Sequence, residues 1–466
     1  MRSLLSPAER VGGSFRDPAA FVFTRDGVLY RQVNLAGRAV YDALMASGLY
    51  EELTASRDLV RHAEVDPALA ADDRAYRVLQ PERVPLISYP YEWCFSQLKD
   101  AALLTLRLQR AAMKRGMSLK DATAYNVQFD AGRPVWIDTL SFEPLRVGAP
   151  WVAYRQFCEF YVAPLALMRH TDVRLHQLLR TFIDGVPVDL ASRLLPGHTR
   201  LFAGLGVHIH LHAAAGRRAA RKPSSGEPEG RRMPKHALQG LIDSLERTVQ
   251  RLTWKPAGTV WGDYYEDTNY TEAAFAHKRE AVTAALERLQ PALVWDLGAN
   301  DGTFSRLASD RGIRVAAFDV DPAAVEKNYQ RMLASQERGI TPLVMDLTNP
   351  SPACGWAGQE RQSLMERGPA DLVMALALVH HLAIAHNVPF ENLAAFFASL
   401  ARSLVIEFVP KDDSQVQRML ATREDVFSDY TQVAFERAFA EQFHIAESTP
   451  VTSSRRTLYI MQRRTA

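Results

Sequence analysis

Cysteine is nearly absent: the chain has three, Cys94, Cys158 and Cys354, far apart and with no paired spacing. That disfavours both a disulfide framework and a zinc site, and it fits a reducing cytoplasm. No stretch of about 20 apolar residues occurs, so no membrane span is expected. The apolar run after Met1 is too short for a signal peptide. Neither sign of charge dominates, with 55 Lys and Arg against 53 Asp and Glu and a formal net charge of +2. Bulk electrostatics therefore give no reason to expect nucleic acid or an acidic partner. Nothing in the composition speaks to oligomeric state.

At 466 residues the chain is long for one core, and two or more domains are expected. The clearest break is Gly216 to Lys235, which lacks apolar periodicity and is rich in Arg, Lys, Gly, Pro and Ser. Its seven basic residues face two acidic ones, with no interleaved aromatics to stack on bases, so it reads as a solvated linker. The expected division is an α+β accessory domain over 1–215, a linker over 216–235 and an α/β domain over 236–466. In that last part, helices are expected at 238–252, 272–289, 302–311, 321–335, 390–402 and 413–421. Strands are expected at 293–296, 314–318, 341–345, 371–375 and 403–408, with a terminal pair near 442–447 and 456–462. Alternation of this kind builds a doubly wound, mostly parallel sheet.

The densest signal is Val294-Trp295-Asp296-Leu297-Gly298-Ala299-Asn300-Asp301-Gly302-Thr303-Phe304, a buried strand, a glycine turn and a helix start in succession. A second buried strand, Arg314 to Phe318, runs into Asp319, about 20 residues beyond the turn, where a ribose hydroxyl pair needs a carboxylate. A dinucleotide fingerprint wants three glycines, and only Gly298 and Gly302 are present. The missing glycine disfavours a pyrophosphate cofactor and an NAD-linked oxidoreductase. The turn Asp296-Leu297-Gly298-Ala299-Asn300-Asp301-Gly302 and Asp319 resemble the class I S-adenosylmethionine-dependent methyltransferases, a likeness that spans roughly 255–466.

The resemblance implies S-adenosylmethionine as cofactor. Asp296 would face the amino group of its methionine moiety, Gly298, Asn300 and Gly302 would line that moiety, Asp319 would accept both ribose hydroxyls, and Asp346 would meet the adenine amino group. Asp321 precedes Pro322 and reads instead as a helix N-cap. The segment Asp371 to Leu382 is similar to the family's fourth strand, which reaches the methyl transfer site. If the acceptor is a hydroxyl or an ammonium, a base must take its proton, and His380, His381, Glu407 and Asp412 are the candidates. A small-molecule or glycan acceptor is favoured over protein or nucleic acid. Trp261, Tyr264, Tyr265 and Tyr270 are candidates for a lid or for plain packing. A ligand-binding scaffold without catalysis is the non-enzyme alternative.

The first half is less regular. A hairpin is expected around Asp26-Gly27, with helices at 35–47, 56–64 and 95–115, a short hairpin over 126–129 and 134–137, and mostly helix from 151 to 215. Asp121, Asn126 and Asp138 have a spacing that resembles the catalytic segment of kinase-like and aminoglycoside-phosphotransferase-like domains, with 84–93 as the hinge. That resemblance implies a second, phosphotransferase activity or a degenerate domain that presents the acceptor. No glycine-rich phosphate loop is evident, and Arg31 stands where a lysine is usual. His208, His210 and His212 read as core or surface histidines rather than metal ligands.

Overall fold

Asp26 (φ 51°) and Gly27 (φ 74°) are both left-handed, which is the backbone a two-residue hairpin turn demands. They join β2 (Ala20–Arg25) to β3 (Val28–Asn34), flanked by β1 (Glu9–Arg10), and β4 (His62–Val65) with β5 (Ala75–Pro81) completes an antiparallel sheet in the order β1-β2-β3-β5-β4. The computed structural model describes residues 6–221, 233–256, 271–421 and 424–464. Two compact units emerge: Met1–Lys255 with Cys354–Arg361, and Pro256–Ala353 with Gln362–Ala466.

In the first unit, the helix expected over 56–64 is instead Leu49–Ala55, followed by β4. Gly48 at φ 71° ends the preceding helix Arg38–Ala46 and restarts the next one early, which frees 62–65 to pair with β5. The helix Phe95–Lys114 sinks Leu98, Ala102, Leu108 and Ala112 completely. After it come β6 (Met117–Leu119), β7 (Val127–Asp130), β8 (Arg133–Trp136) and β9 (Phe142–Pro144), paired β6 with β9 and β7 with β8. From 154 to 221 the chain is mostly helical.

The helix Lys235–Arg251, expected to open the C-terminal domain, belongs to the first unit. Arg110 donates to Asp243 at 2.7 Å, and Lys99 Nζ donates to the carbonyls of Gln250 and Leu252 at 2.9 Å each. Linker composition marks where a chain is solvated, not which neighbour the next helix packs on. Residues 222–232 of the expected linker lie outside the described residues. His208 sits 3.0 Å from the Tyr154 hydroxyl and 3.0 Å from Ser244, and His210 sits 2.9 Å from both Ser192 and Thr199. These two rings are core hydrogen-bonding groups.

The second unit is α/β. Its sheet runs β12 (Ile340–Val344), β11 (Arg314–Asp319), β10 (Leu293–Leu297), β13 (Ala370–Ala375), β14 (Ala401–Phe408), β16 (Thr457–Arg463), β15 (Phe443–Pro450). The first five are parallel, while β16 is antiparallel to both β14 and β15. This is the doubly wound, mostly parallel sheet expected of the second half. Val294, Ala316, Leu343, Val373 and Val405 are all fully buried, as strands covered on both faces require. Strand order reverses between β10 and β13, the place where such sheets open a crevice at their carboxyl ends. The helix Gln432–Gln442, which the apolar spacing does not announce, buries Phe435 and Phe439 beside the terminal hairpin.

Candidate functional site

A cavity of about 280 Å³ lies at that crevice. The ends of four strands supply its walls: Asp296 on β10 with Gly298 and Asn300 after it, Asp319 on β11, Asp346 after β12 and Leu378 after β13. Gly298 has φ 77°, and a Cβ added there would come to 3.4 Å from the Leu378 side chain. A larger residue would both strain the turn and narrow the crevice.

Two carboxylates face this cavity with no cation paired directly to either among the described residues. Asp296 accepts a hydrogen bond from the Ser305 hydroxyl at 2.6 Å, and Asp319 accepts from the amides of Asn300 at 2.8 Å and Asp321 at 2.9 Å. Burial pushes Asp296 up to about 7, and the nearby Asp319 adds to the rise. Burial likewise pushes Asp319 up to about 6, against the pull of its backbone donors. Asp346 also lines the cavity, and one of its oxygens accepts from the Thr348 amide at 2.8 Å and hydroxyl at 2.6 Å. Asp321 caps its helix by accepting from the Ala323 amide at 2.8 Å.

Gly302 departs from its expected place. It is the N-cap of the helix Thr303–Ser309 at φ 78°, and a Cβ there would meet the Asn328 side chain at 2.5 Å. It is not among the residues lining the cavity, so the glycine is needed for close packing behind the turn.

The four candidate bases separate. His381 lines the cavity, and burial holds its imidazole down at about 4. His380 is buried behind it, 4.1 Å between ring centroids, and is held well below the usual histidine range by burial and by the neighbouring cationic groups. Glu407 does not line the cavity. Its carboxylate accepts from Lys278 Nζ at 2.7 Å and from the Ala377 amide at 2.8 Å, with Arg456 at 3.9 Å. Asp412 is an exposed partner of Arg455. Trp261, Tyr264, Tyr265 and Tyr270 lie outside the described residues.

No family model matches the chain. Nodulation protein NoeA of Rhizobium meliloti (strain 1021) is 37% identical over 460 residues, spanning 97% of this chain and 96% of that protein. The chain belongs to the NoeA family. Among solved structures, magnesium protoporphyrin IX methyltransferase (ChlM) from Synechocystis PCC 6803, with SAH bound, is 20% identical. It covers 44% of this chain and 93% of that one at a TM-score of 0.32. A SAM-dependent methyltransferase from Aquifex aeolicus is 14% identical over 43% of this chain and 98% of its own, TM-score 0.30. WbdD, described as a bifunctional kinase-methyltransferase, is 12% identical over 46% of this chain and 45% of its own, TM-score 0.29.

In this NoeA-family chain the sequence reading missed Lys278, a wall of the cavity that also lies 4.8 Å from the Phe304 ring centroid. Burial lowers its ammonium, and Glu407 opposes that shift. The signal was available. Ala274, Lys278, Val282 and Ala285 share the buried face of the helix Glu272–Leu289, and a lysine at an interior position of such a stripe demands a partner. Arg456 was missed for the opposite reason: it is fixed by Asp413 at 2.8 and 3.2 Å across 43 residues of sequence.

Proposed function

We propose that the second unit is an S-adenosylmethionine-dependent methyltransferase acting on a small-molecule or glycan acceptor. One observation carries this reading: two buried carboxylates with raised pKa values stand 23 residues apart beside a left-handed glycine turn, in a cavity with no phosphate-binding third glycine. The donor set fits the cofactor. Asp319 would take the ribose hydroxyls, Asp296 the methionine ammonium, Lys278 the methionine carboxylate and Asp346 the adenine amine. When bound, the cofactor supplies a methyl group on a sulfonium, already activated toward in-line displacement.

The chain's own contribution is then placement and exclusion of water. Phe275, Phe304, Leu378 and Leu382 give the cavity apolar walls that seat an acceptor against the donor. His381 would receive an acceptor proton through its ring, whose neutral form burial favours. Glu407 is a positioning residue that holds Lys278 and the Ala377 amide. Calorimetry tests the reading: saturable S-adenosylmethionine binding lost in Asp319→Ala supports it, and no binding by the unaltered chain overturns it. Release of S-adenosylhomocysteine with candidate acceptors separates an enzyme from a ligand-binding scaffold.

We further propose that the first unit is kinase-like and degenerate. A five-stranded antiparallel sheet, a connecting stretch, a long helix and the Asp121–Asn126–Asp138 segment follow in that order, with Gly12 and Gly13 between β1 and β2. Arg31 on β3 pairs with Asp138, so the carboxylate that would hold a metal ion is neutralised from within.

A further inference from the structure

Residues 354–361 carry a group of contacts that no function above uses. The chain leaves the second unit at Ala353 and returns at Gln362, and the eight residues between them belong to the first unit. They form a tight loop. The Cys354 amide donates to the Arg361 carbonyl at 3.0 Å, the Glu360 amide to the Cys354 carbonyl at 3.0 Å and the Gln359 amide to the Trp356 carbonyl at 3.1 Å. Gly355 is left-handed at φ 84°, where a Cβ would strike the Glu360 side chain at 2.5 Å.

Two anchors hold this loop, and they come from segments of the first unit more than 100 residues apart in sequence. From the β1–β2 connection, Arg16 grips the Glu360 carboxylate in a fork, Nε at 2.9 Å and Nη2 at 2.5 Å. The Glu360 side chain is almost wholly buried, 2% exposed, and it also accepts from the Trp356 amide at 2.7 Å. From the segment between Asp121 and Asn126, the Tyr125 ring lies 3.9 Å from the Arg361 guanidinium. Backbone packs on backbone between them. A Cβ on Gly13 would sit 2.5 Å from the Glu360 carbonyl oxygen, and one on Gly12 would collide with the Gln359 carbonyl, so both glycines are needed for this approach.

Asp138 and Asn126, which would hold a metal–phosphate group in a kinase-like fold, are already engaged within the unit. Asp138 pairs with Arg31 and accepts from the Ser141 hydroxyl and, at 3.2 Å, from the Leu140 amide, while the Asn126 amide donates to Ser141 at 3.1 Å. We propose that the β1–β2 connection and the Tyr125 segment form a peptide-binding site whose ligand is residues 354–361 of the same chain, held where a kinase-like fold would hold nucleotide phosphates. Recognition is of an acidic side chain followed by a basic one: a carboxylate for the Arg16 fork and a guanidinium for the Tyr125 face. Only the comparison with a nucleotide site rests on the kinase-like reading; the contacts stand without it.

Hydrogen exchange on the full chain tests the proposal, with Arg16→Ala, Glu360→Ala and Arg16→Lys. In both alanine variants, amides of 354–361 and of 11–16 should exchange at least tenfold faster together, while 293–319 remain unchanged as the control for folding. Arg16→Lys should recover part of the protection, since it keeps the charge and loses the fork. Unchanged exchange at 354–361 in both alanine variants overturns the proposal. So does protection of 11–16 by millimolar magnesium ATP in the unaltered chain while 354–361 stay protected. S-adenosylmethionine titration reads 293–319 separately, so failure of the methyltransferase reading is distinguishable.

Discussion

Asp138 in the first unit and Asp319 in the second both stand at or just beyond the end of a strand, and their pKa values are shifted in opposite directions. Burial pushes Asp138 up, but the Arg31 charge and the Ser141 and Leu140 donors outweigh it and leave its carboxyl below the usual range. Asp319 has backbone donors only, and burial wins, raising it to about 6. A carboxylate whose partners lie within the fold is part of the scaffold. One held charged without a counter-ion is a receptor for a ligand that brings hydroxyls or a cation. By this criterion Asp138 is part of the scaffold, and Asp319 has the properties the proposed cofactor site requires.

The largest expected effect bears on the second unit's own scaffold. Glu407→Ala leaves Lys278 buried without its carboxylate and should cost about 3–5 kcal/mol in denaturant unfolding, a loss that Glu407→Gln with Lys278→Met should largely recover. Next comes the receptor itself. Asp319→Asn keeps an oxygen for the Asn300 amide but removes the charge, and S-adenosylmethionine affinity should fall about 10- to 100-fold by calorimetry. Asp138→Asn should do the converse. It should lose about 2 kcal/mol of stability, because Arg31 loses its counter-ion, while S-adenosylmethionine affinity stays within about twofold. A large affinity loss in Asp138→Asn would break the distinction between the two carboxylates.

The smallest effect is in pH. Because the folded pKa values of Asp296 and Asp319 are raised, their contribution to stability is fully present below about pH 3.8 and is lost as pH rises through about 6 to 7. Ligand affinity should follow the opposite course, strengthening over the same window as both carboxylates ionise, with proton release measurable in buffers of different ionisation enthalpy. Asp138, with its depressed pKa, contributes stability above pH 3.8 that is lost as pH falls through its folded value. Between pH 5 and pH 8, unit-resolved hydrogen exchange should therefore lose protection around Asp296 and Asp319 and stay level around Asp138, whose own loss begins only below pH 3.8.

Local pattern made the crevice of the second unit legible. Buried strands announce themselves as short apolar runs, and the glycine turn, Asp319, Asp346 and the Asp321 cap all stand within a few residues of a strand end, where chain direction alone fixes their place. Glu407 was misread for the same reason: a strand-end carboxylate looks the same in sequence whether it meets ligand or lysine. The helix Lys235–Arg251 and the glycines at 12 and 13 show the limit in the first half. A helix face does not name its partner, and two adjacent glycines mean little until β1 and β2 are paired around them.

The sequence by itself determined the doubly wound sheet, the turn conformation and the order of the acidic strand ends, because each depends on residues close in the chain. Tertiary structure alone decided which charges find partners: Lys278 with Glu407 across 129 residues, Arg31 with Asp138, and Arg16 with Glu360 across 344. Burial and pairing set whether a carboxylate is scaffold or receptor, and both are properties of the packed molecule rather than of any window of its sequence.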